Sequence, residues 1–181
     1  WYPGDSVNLS IGQGSLLTTP VQITSLISAV AAEGIAYQPQ IVQEIKNSEG
    51  ERVKKFDPKI RFDLREEIDS RVFSALKQGM YDVVNKSYGT ASRHFNDFPL
   101  EVAGKTGTAQ TGGANHAWFG GFAPFDNPQI AVVVFIENGD SSAYSVPIAR
   151  EIMEYYFGFK NANNSHDNIY YYSEESFNQN N

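Results

Sequence analysis

The segment Lys105-Thr106-Gly107-Thr108 combines a positive charge, two hydroxyls and a glycine within four residues. Side chains on a strand alternate between faces, so we expect Thr106 and Thr108 to share one face, about 7 Å apart. Such hydroxyls can bind a carboxylate, with Lys105 adding positive charge beside the anion. Gly107 lets a ligand lie close to the strand. The backbone N–H of Thr108 can stabilise a developing oxyanion, so the pattern indicates half of an acyl-transfer site.

The overlapping triplet Gly104-Lys105-Thr106 also allows a second interpretation, as the end of a phosphate-binding loop. Such a loop follows the pattern G-x-x-x-x-G-K-[ST] and begins a helix at the lysine. The first glycine of that pattern is replaced by Pro99, which has no N–H to donate to a phosphate. The residues after Lys105 favour strand and turn. The sequence therefore favours the acyl-transfer interpretation.

Two predicted helices precede this strand, after a Gly- and Ser-rich segment, residues 1–18, that we predict to be a loop. In the first helix, Thr19, Pro20 and Gln22 form a capping box, and Gly34 follows its end. The second helix is predicted to begin at Asp63 and to end near residue 85. A hairpin is predicted between the helices, around residues 47–50. The predicted buried stripes of the two helices are Ile23, Leu26, Ile27, Val30 and Ala31, and Ile68, Val72, Ala75, Leu76 and Val83.

The second half of the chain predicts three strands and a closing helix. The strands cover residues 100–110, HAWFGGFAP (116–124) and PQIAVVVFIEN (128–138), and the third is apolar enough to be a central strand. One of Trp118 and Phe119 should be in the core. The predicted buried side of the closing helix consists of Ile148, Ile152, Met153 and Tyr156. The Asn-rich residues 161–181 lack periodicity and predict a flexible tail.

Bulk composition excludes several classes of function. The chain has 181 residues, a net charge of −7, 41% hydrophobic residues and no cysteine. An acidic chain of this kind argues against a nucleic-acid binder and has no electrostatic attraction to anionic lipid. The sequence contains no run of 18 apolar residues, so we predict no membrane span in it. Because the sequence begins at Trp1 without a signal-like segment, we expect it to be a piece of a longer protein.

Four segments occur in an order that resembles a known family: WYPGDSVNLSIGQG…TPVQI, KQGMYDVVN…GTA, KTGTAQ and HAWFGGFAPFDNPQIAVVVFIENG. Residues 1–160 are thereby identified as the C-terminal portion of the transpeptidase domain of class B penicillin-binding proteins, most like the penicillin-binding protein 2 type. The resemblance implies an α/β fold of the α+β type, an antiparallel sheet flanked by helices. It also implies D,D-transpeptidation of peptidoglycan stem peptides through a serine acyl-enzyme, acylation by β-lactams, and no cofactor.

The family uses S-x-x-K, then S-x-N, then K-T-G, in that order. The chain contains Ser74-Ala75-Leu76-Lys77 and Ser6-Val7-Asn8, but their order is reversed. Only 31 residues separate Ser74 from Lys105, where the family expects far more. The helical pattern also places Ser74 and Lys77 on the solvated face. We therefore predict that the nucleophilic serine is not in this chain and that the chain alone is inactive.

Further predictions concern residues outside the motif. Gln13, between two glycines, and His116 are candidates for supporting the site. For His116 we prefer a local hairpin contact to a role as a base. No cluster has metal-ligand spacing. If the other half of the domain is absent, the strands between 100 and 137 should expose apolar surface, and the chain should be marginally stable or bound to that half as a separate chain.

Two alternative functions are retained. A serine β-lactamase or penicillin sensor of the same superfamily would be indicated by fast hydrolysis of the acylated protein. A non-catalytic interaction module would be indicated by the lack of an upstream S-x-x-K motif. The resemblance further implies location at the cytoplasmic membrane, with the domain on the periplasmic side. It also implies membrane proteins of the elongation machinery as partners.

Overall fold

A computed structural model describes residues 1–159, so the predicted tail, 161–181, lies outside the described residues. Its helices are α1 (Pro3–Ser10), α2 (Pro20–Ala31), α3 (Ser70–Asn85) and α4 (Ser142–Tyr156). Its strands are β1 (Ile35–Tyr37), β2 (Glu44–Lys46), β3 (Arg52–Lys55), β4 (Ile60–Asp63), β5 (Ala103–Ala109), β6 (His116–Ala123) and β7 (Ile130–Ile136). A short 3₁₀ turn covers Ser92–His94.

Helix α1 corrects the prediction that residues 1–18 are a loop. Pro3 occupies its first position, and the Asp5 carboxylate accepts a hydrogen bond of 2.8 Å from the Tyr2 N–H. Both features stabilise a helix start. None of its residues is buried, so the amphipathic periodicity from which we identify helices is missing here. Gly12 and Gly14 then adopt positive φ.

Helix α2 begins as predicted. The Thr19 hydroxyl accepts from the Gln22 N–H, and the Gln22 side chain accepts from the Thr19 N–H at 2.8 Å. Ile27 and Val30 are buried as expected, but Leu26 is 58% exposed. The buried residues of the helix are Ile27, Ala29, Val30 and Ala31, and Ile27 packs against the main sheet, 3.1 Å from the site of a Cβ on Gly120.

The region between α2 and α3 contains the predicted hairpin. Strands β2 and β3 pair antiparallel around the turn at residues 47–50, and β1 pairs with β4. The predicted start of the second helix at Asp63 is wrong. Asp63 ends β4 and accepts hydrogen bonds from Arg65, whereas α3 begins after Asp69, whose carboxylate accepts from the Arg71 N–H at 2.9 Å.

The face that α3 buries differs from the predicted stripe. Val72 and Leu76 are 47% and 48% exposed, whereas Phe73, Lys77 and Val84 are buried. The prediction that Lys77 is solvated is therefore wrong. A lysine can bury its aliphatic stem while its ammonium group keeps a polar partner, so counting Lys77 as polar rotated the predicted stripe away from the true one.

The main sheet has the order β5-β6-β7 and is antiparallel throughout. Strand β6 is central, so the prediction of a central third strand is wrong for the described residues. The third strand is nevertheless covered, because α2 packs on one face of the sheet and α4 on the other. The core includes Phe119 and Val134 on the α4 side and Phe122 on the α2 side. The predicted fold class, an antiparallel sheet flanked by helices, is confirmed.

Helix α4 also buries a different side from the predicted one. Val146, Ala149 and Met153 are buried, whereas the other three predicted residues, Ile148, Ile152 and Tyr156, are 41–52% exposed. Small residues at the contact let the helix approach the sheet closely. No large hydrophobic residue between 100 and 137 is strongly exposed among the described residues. The predicted exposure of apolar surface on these strands is therefore wrong, because α2 and α4 already cover it.

Candidate active site

The K-T-G segment lies on β5, whose outer edge pairs with no strand among residues 1–159. Alternate residues of an antiparallel strand direct both backbone groups toward the partner or away from it. The Thr106 and Thr108 carbonyls accept side-chain bonds from Lys105 Nζ and Gln13 Nε2, at 2.6 and 3.3 Å. Neither donor belongs to β6, so these two residues direct their carbonyl and N–H groups to the free edge.

This orientation leaves the Thr108 N–H pointing outward, as an oxyanion donor must. The Lys105 and Thr108 side chains are exposed, and Gly107 between them is half-buried. A Cβ on Gly107 would come 3.2 Å from the Trp118 Cβ, so the glycine also keeps the strand close to β6. Lys105, Gly107 and Thr108 therefore lie on an edge strand that a ligand can reach.

The Thr106 side chain occupies a different environment from that of Thr108. Thr106 is only 8% exposed, and its Oγ1 lies 2.7 Å from the Oγ1 of Thr90. Its hydroxyl is therefore already hydrogen-bonded in the absence of a ligand. Thr90 was missed by the site prediction. The signal that points to it is the triplet Gly89-Thr90-Ala91, the GTA of the second resembling segment.

The turn that carries Thr90 is packed tightly against α3. The Ala91 N–H donates to the Val83 carbonyl at 3.1 Å, and Ala91 is fully buried. A Cβ on Gly89 would lie 2.3 Å from the Val83 carbonyl oxygen, and only glycine fits such an approach to backbone. Helix α3 therefore fixes the backbone of the turn that carries Thr90.

We expect Gly89→Ala to destabilise the protein by about 1–3 kcal/mol, because the added methyl must displace backbone atoms. Gly79→Ala is the matched control, since nothing lies within 4 Å of a Cβ at Gly79. On a helix this control should be neutral or stabilising by about 1 kcal/mol. Thermal unfolding of the two variants beside the wild type measures the difference. Equal melting temperatures for all three proteins would contradict the packing described for this turn.

The loop after the turn is tied to α4 by Arg150. Its guanidinium donates to the His94 carbonyl and to the Asp97 carboxylate, each at 2.6 Å. The hydrogen bond from Arg150 lowers the pKa of Asp97 below its usual value. The pKa of His94 is also lowered, first by burial and then by the charges of Arg93 and Arg150. These contacts attach residues 92–97 to the same core that carries β5.

The two predicted supporting residues have different positions. The Gln13 side chain joins the Thr108 carbonyl to the Gln110 N–H, at 3.3 and 3.4 Å, and so contacts the K-T-G strand directly. His116 Nδ1 accepts from the Asn138 N–H at 3.0 Å, and its ring packs against Phe135. This is the local hairpin contact that we preferred for His116.

The residues of the S-x-x-K look-alike and of the S-x-N look-alike bind to other groups and not to each other. Ser74 Oγ donates to the Ser70 carbonyl of its own helix, at 3.1 Å. Lys77 Nζ pairs with Glu33 at 2.9 Å. Ser6 Oγ accepts from the Trp1 indole at 2.8 Å. Lys77 is thus paired with a carboxylate, and not with Ser74.

Other kinds of site are not apparent in the described residues. Within residues 1–159, no group of three or more His, Cys, Asp or Glu could hold a metal ion. The same range contains no helix that is both long and apolar enough to cross a bilayer. An apolar concavity does occur away from β5, along α3, and it is lined by Asp69, Arg71, Val72, Ala75 and Leu76.

Comparison with known proteins identifies the family to which this edge strand belongs. The family model described as "Penicillin binding protein transpeptidase domain" matches residues 1–154. The chain belongs to this family. Its curated relatives include the peptidoglycan D,D-transpeptidase MrdA of Haemophilus influenzae, which is 35% identical over 173 residues. That alignment covers 86% of this chain and 26% of the relative, so the chain spans about a quarter of that protein.

Solved structures of the family have the same fold. Pseudomonas aeruginosa PBP2 in complex with WCK 5153 is 34% identical, with a TM-score of 0.69 over 85% of this chain and 32% of that one. Helicobacter pylori PBP2, solved in complex with MreC, is 28% identical, with a TM-score of 0.71 over 88% of this chain and 28% of that one. The predicted family, including its likeness to the penicillin-binding protein 2 type, is confirmed.

Proposed function

We propose that this chain is part of a peptidoglycan D,D-transpeptidase that cross-links stem peptides ending in D-Ala-D-Ala. The observation that supports this proposal is the free edge of β5, which presents the Thr108 N–H beside Lys105 in a K-T-G segment. The chain supplies this strand, and the nucleophilic serine comes from a segment outside these 181 residues. The same site is acylated by β-lactam antibiotics.

In the proposed reaction, the serine oxygen attacks the carbonyl carbon of the penultimate D-Ala. The carbonyl oxygen becomes an oxyanion, and the Thr108 N–H donates one of its two stabilising hydrogen bonds. Collapse of this intermediate breaks the peptide bond and expels the terminal D-Ala, whose amine takes up the proton lost by the serine, and an acyl-enzyme remains. The amine of a second stem peptide then attacks the acyl carbon, forms the new amide bond and releases the serine, which regains a proton from that amine. The 106–108 segment holds the substrate, and the positive charge of Lys105 attracts its terminal carboxylate.

The location and the partners belong to the same proposal. We place the domain on the outer side of the cytoplasmic membrane, where peptidoglycan is cross-linked. The Helicobacter pylori PBP2 that resembles this chain was solved in complex with MreC. This supports membrane proteins of the elongation machinery as partners of the complete protein. Co-purification of the complete protein with these partners tests the assignment.

The function is tested by labelling the complete protein with a fluorescent penicillin. A transpeptidase should give a covalent, slowly hydrolysed product whose formation is prevented by an unlabelled β-lactam. Rapid loss of the label by hydrolysis would favour a β-lactamase instead. No labelling at all would favour a non-catalytic module and would contradict the proposal.

Ser74 provides a specific check on the position of the nucleophile. Because its hydroxyl bonds its own helix and Lys77 is paired with Glu33, we expect Ser74→Ala to label at the wild-type rate. The substitution removes one exposed hydroxyl and should leave stability within about 0.5 kcal/mol. A folded Ser74→Ala protein that is not labelled would show that this serine is the nucleophile after all.

A further inference from the structure

The hydroxyls of Thr90 and Thr106 form a hydrogen-bonded pair that can still donate one further hydrogen bond. The two oxygens are 2.7 Å apart, which is the usual length of a hydroxyl–hydroxyl hydrogen bond. Each hydroxyl carries one hydrogen. The bond between them uses one hydrogen, so one remains for an acceptor outside the pair, whichever residue donates. Because an ionised carboxylate only accepts hydrogen bonds, it is a suitable acceptor.

The pair is open to solvent from one side. Thr106 is 8% exposed and lies between the sheet and the turn, whereas Thr90 is exposed. Thr90 is also fixed in place, since Gly89 and Ala91 on either side of it pack against the Val83 carbonyl. An anion that approaches β5 on this side therefore meets a pair of hydroxyls whose positions are set by α3.

We propose that Thr90 is a positioning residue that orients the Thr106 hydroxyl toward the carboxylate of the substrate or of a β-lactam. The inference rests on the proposed function and extends the carboxylate site beyond the K-T-G strand. In the proposed complex Thr90 donates to Thr106 Oγ1, so the hydrogen of Thr106 is left to donate to the carboxylate. Thr90 also strengthens the remaining O–H donor, because hydrogen bonds in a chain polarise one another.

The test uses the complete protein with Thr90→Val, which keeps the shape and removes the hydroxyl, and with Thr90→Ser, which keeps the hydroxyl. For benzylpenicillin we expect the second-order rate constant of acylation to fall about tenfold in the valine variant, the size of one weakened bond to a charged group. The serine variant should restore most of the rate. Thr24→Val is the control, since that hydroxyl bonds the Pro20 carbonyl within α2.

The methyl ester of benzylpenicillin separates positioning from general damage to the fold. It lacks the anionic carboxylate, so the valine substitution should change its acylation rate less than twofold. An equal loss with the acid and the ester would assign Thr90 a structural role and overturn the proposal. An unchanged rate with the acid would overturn it as well.

The failure of this inference can be distinguished from failure of the proposed function. If the wild-type protein forms no covalent adduct with any β-lactam, the proposed function is wrong, and the role of Thr90 falls with it. If the wild type and Thr24→Val react normally while Thr90→Val shows no carboxylate-dependent loss, the transpeptidase function stands and only the role of Thr90 is wrong.

Discussion

The 181-residue chain, purified alone, should form no covalent adduct with penicillin. Acylation requires a serine activated by a neighbouring lysine, and the S-x-x-K look-alike is not such a pair, since Lys77 binds Glu33 instead of Ser74. The oxyanion hole would also be incomplete. We propose that the Thr108 N–H is one of its two donors and that the other is the N–H of the nucleophilic serine, which lies outside this chain.

The expected effect is complete, because loss of the nucleophile removes the covalent route. The missing oxyanion donor alone would lower the rate by roughly 10²–10³. Intact-mass spectrometry after incubation with penicillin measures the result, with the complete protein as the positive control. We expect the mass of the chain to stay unchanged. An increase by one drug mass, mapped to any serine of this chain, would overturn the assignment and direct attention back to Ser74.

Replacement of Lys105 by alanine in the complete protein should lower the rate of penicillin labelling by about 100-fold. The substitution removes the positive charge that Lys105 places on β5 beside Thr108, and preorganised electrostatic groups typically contribute about that much to acyl transfer. The ammonium group now donates to the Thr106 carbonyl at 2.6 Å, so it is held at the strand before any ligand arrives.

Lys54→Ala is the matched control for this substitution. Lys54 is an exposed lysine on strand β3 of the hairpin, and it should label at the wild-type rate. Comparing the two variants separates the local effect of Lys105 from the change in net charge that both share. Equal labelling of Lys105→Ala and the wild type would refute the assignment of the site to β5.

Local signals in the sequence predicted much of the fold. The capping box of Thr19 and Gln22, the hairpin turn at residues 47–50 and the three strands of the main sheet are all present. Each of these depends on a few neighbouring residues whose backbone preferences are strong. The family was also recognisable, because the order of four motifs is more specific than any one of them.

The wrong predictions concern features of the fold that tertiary contacts determine. The buried faces of α3 and α4 were misplaced, since the hydrophobic pattern counts Lys77 as polar and overlooks small residues such as Ala149. In the site, the free edge of β5 follows from pairing with β6, which the K-T-G letters alone do not reveal. The contact of Thr90 with Thr106 joins residues 16 apart, and it depends on how the turn packs against α3.

The most direct test of the account is a crystal structure of the complete protein acylated by a penicillin. We predict that the acyl carbonyl oxygen lies about 2.7–3.1 Å from the Thr108 nitrogen, the distance expected of an oxyanion donor. The serine that carries the acyl group should lie outside this chain, and the drug carboxylate should face Lys105 and the Thr90–Thr106 pair. An acyl group attached away from the free edge of β5, with no contact to Thr108, would contradict the account.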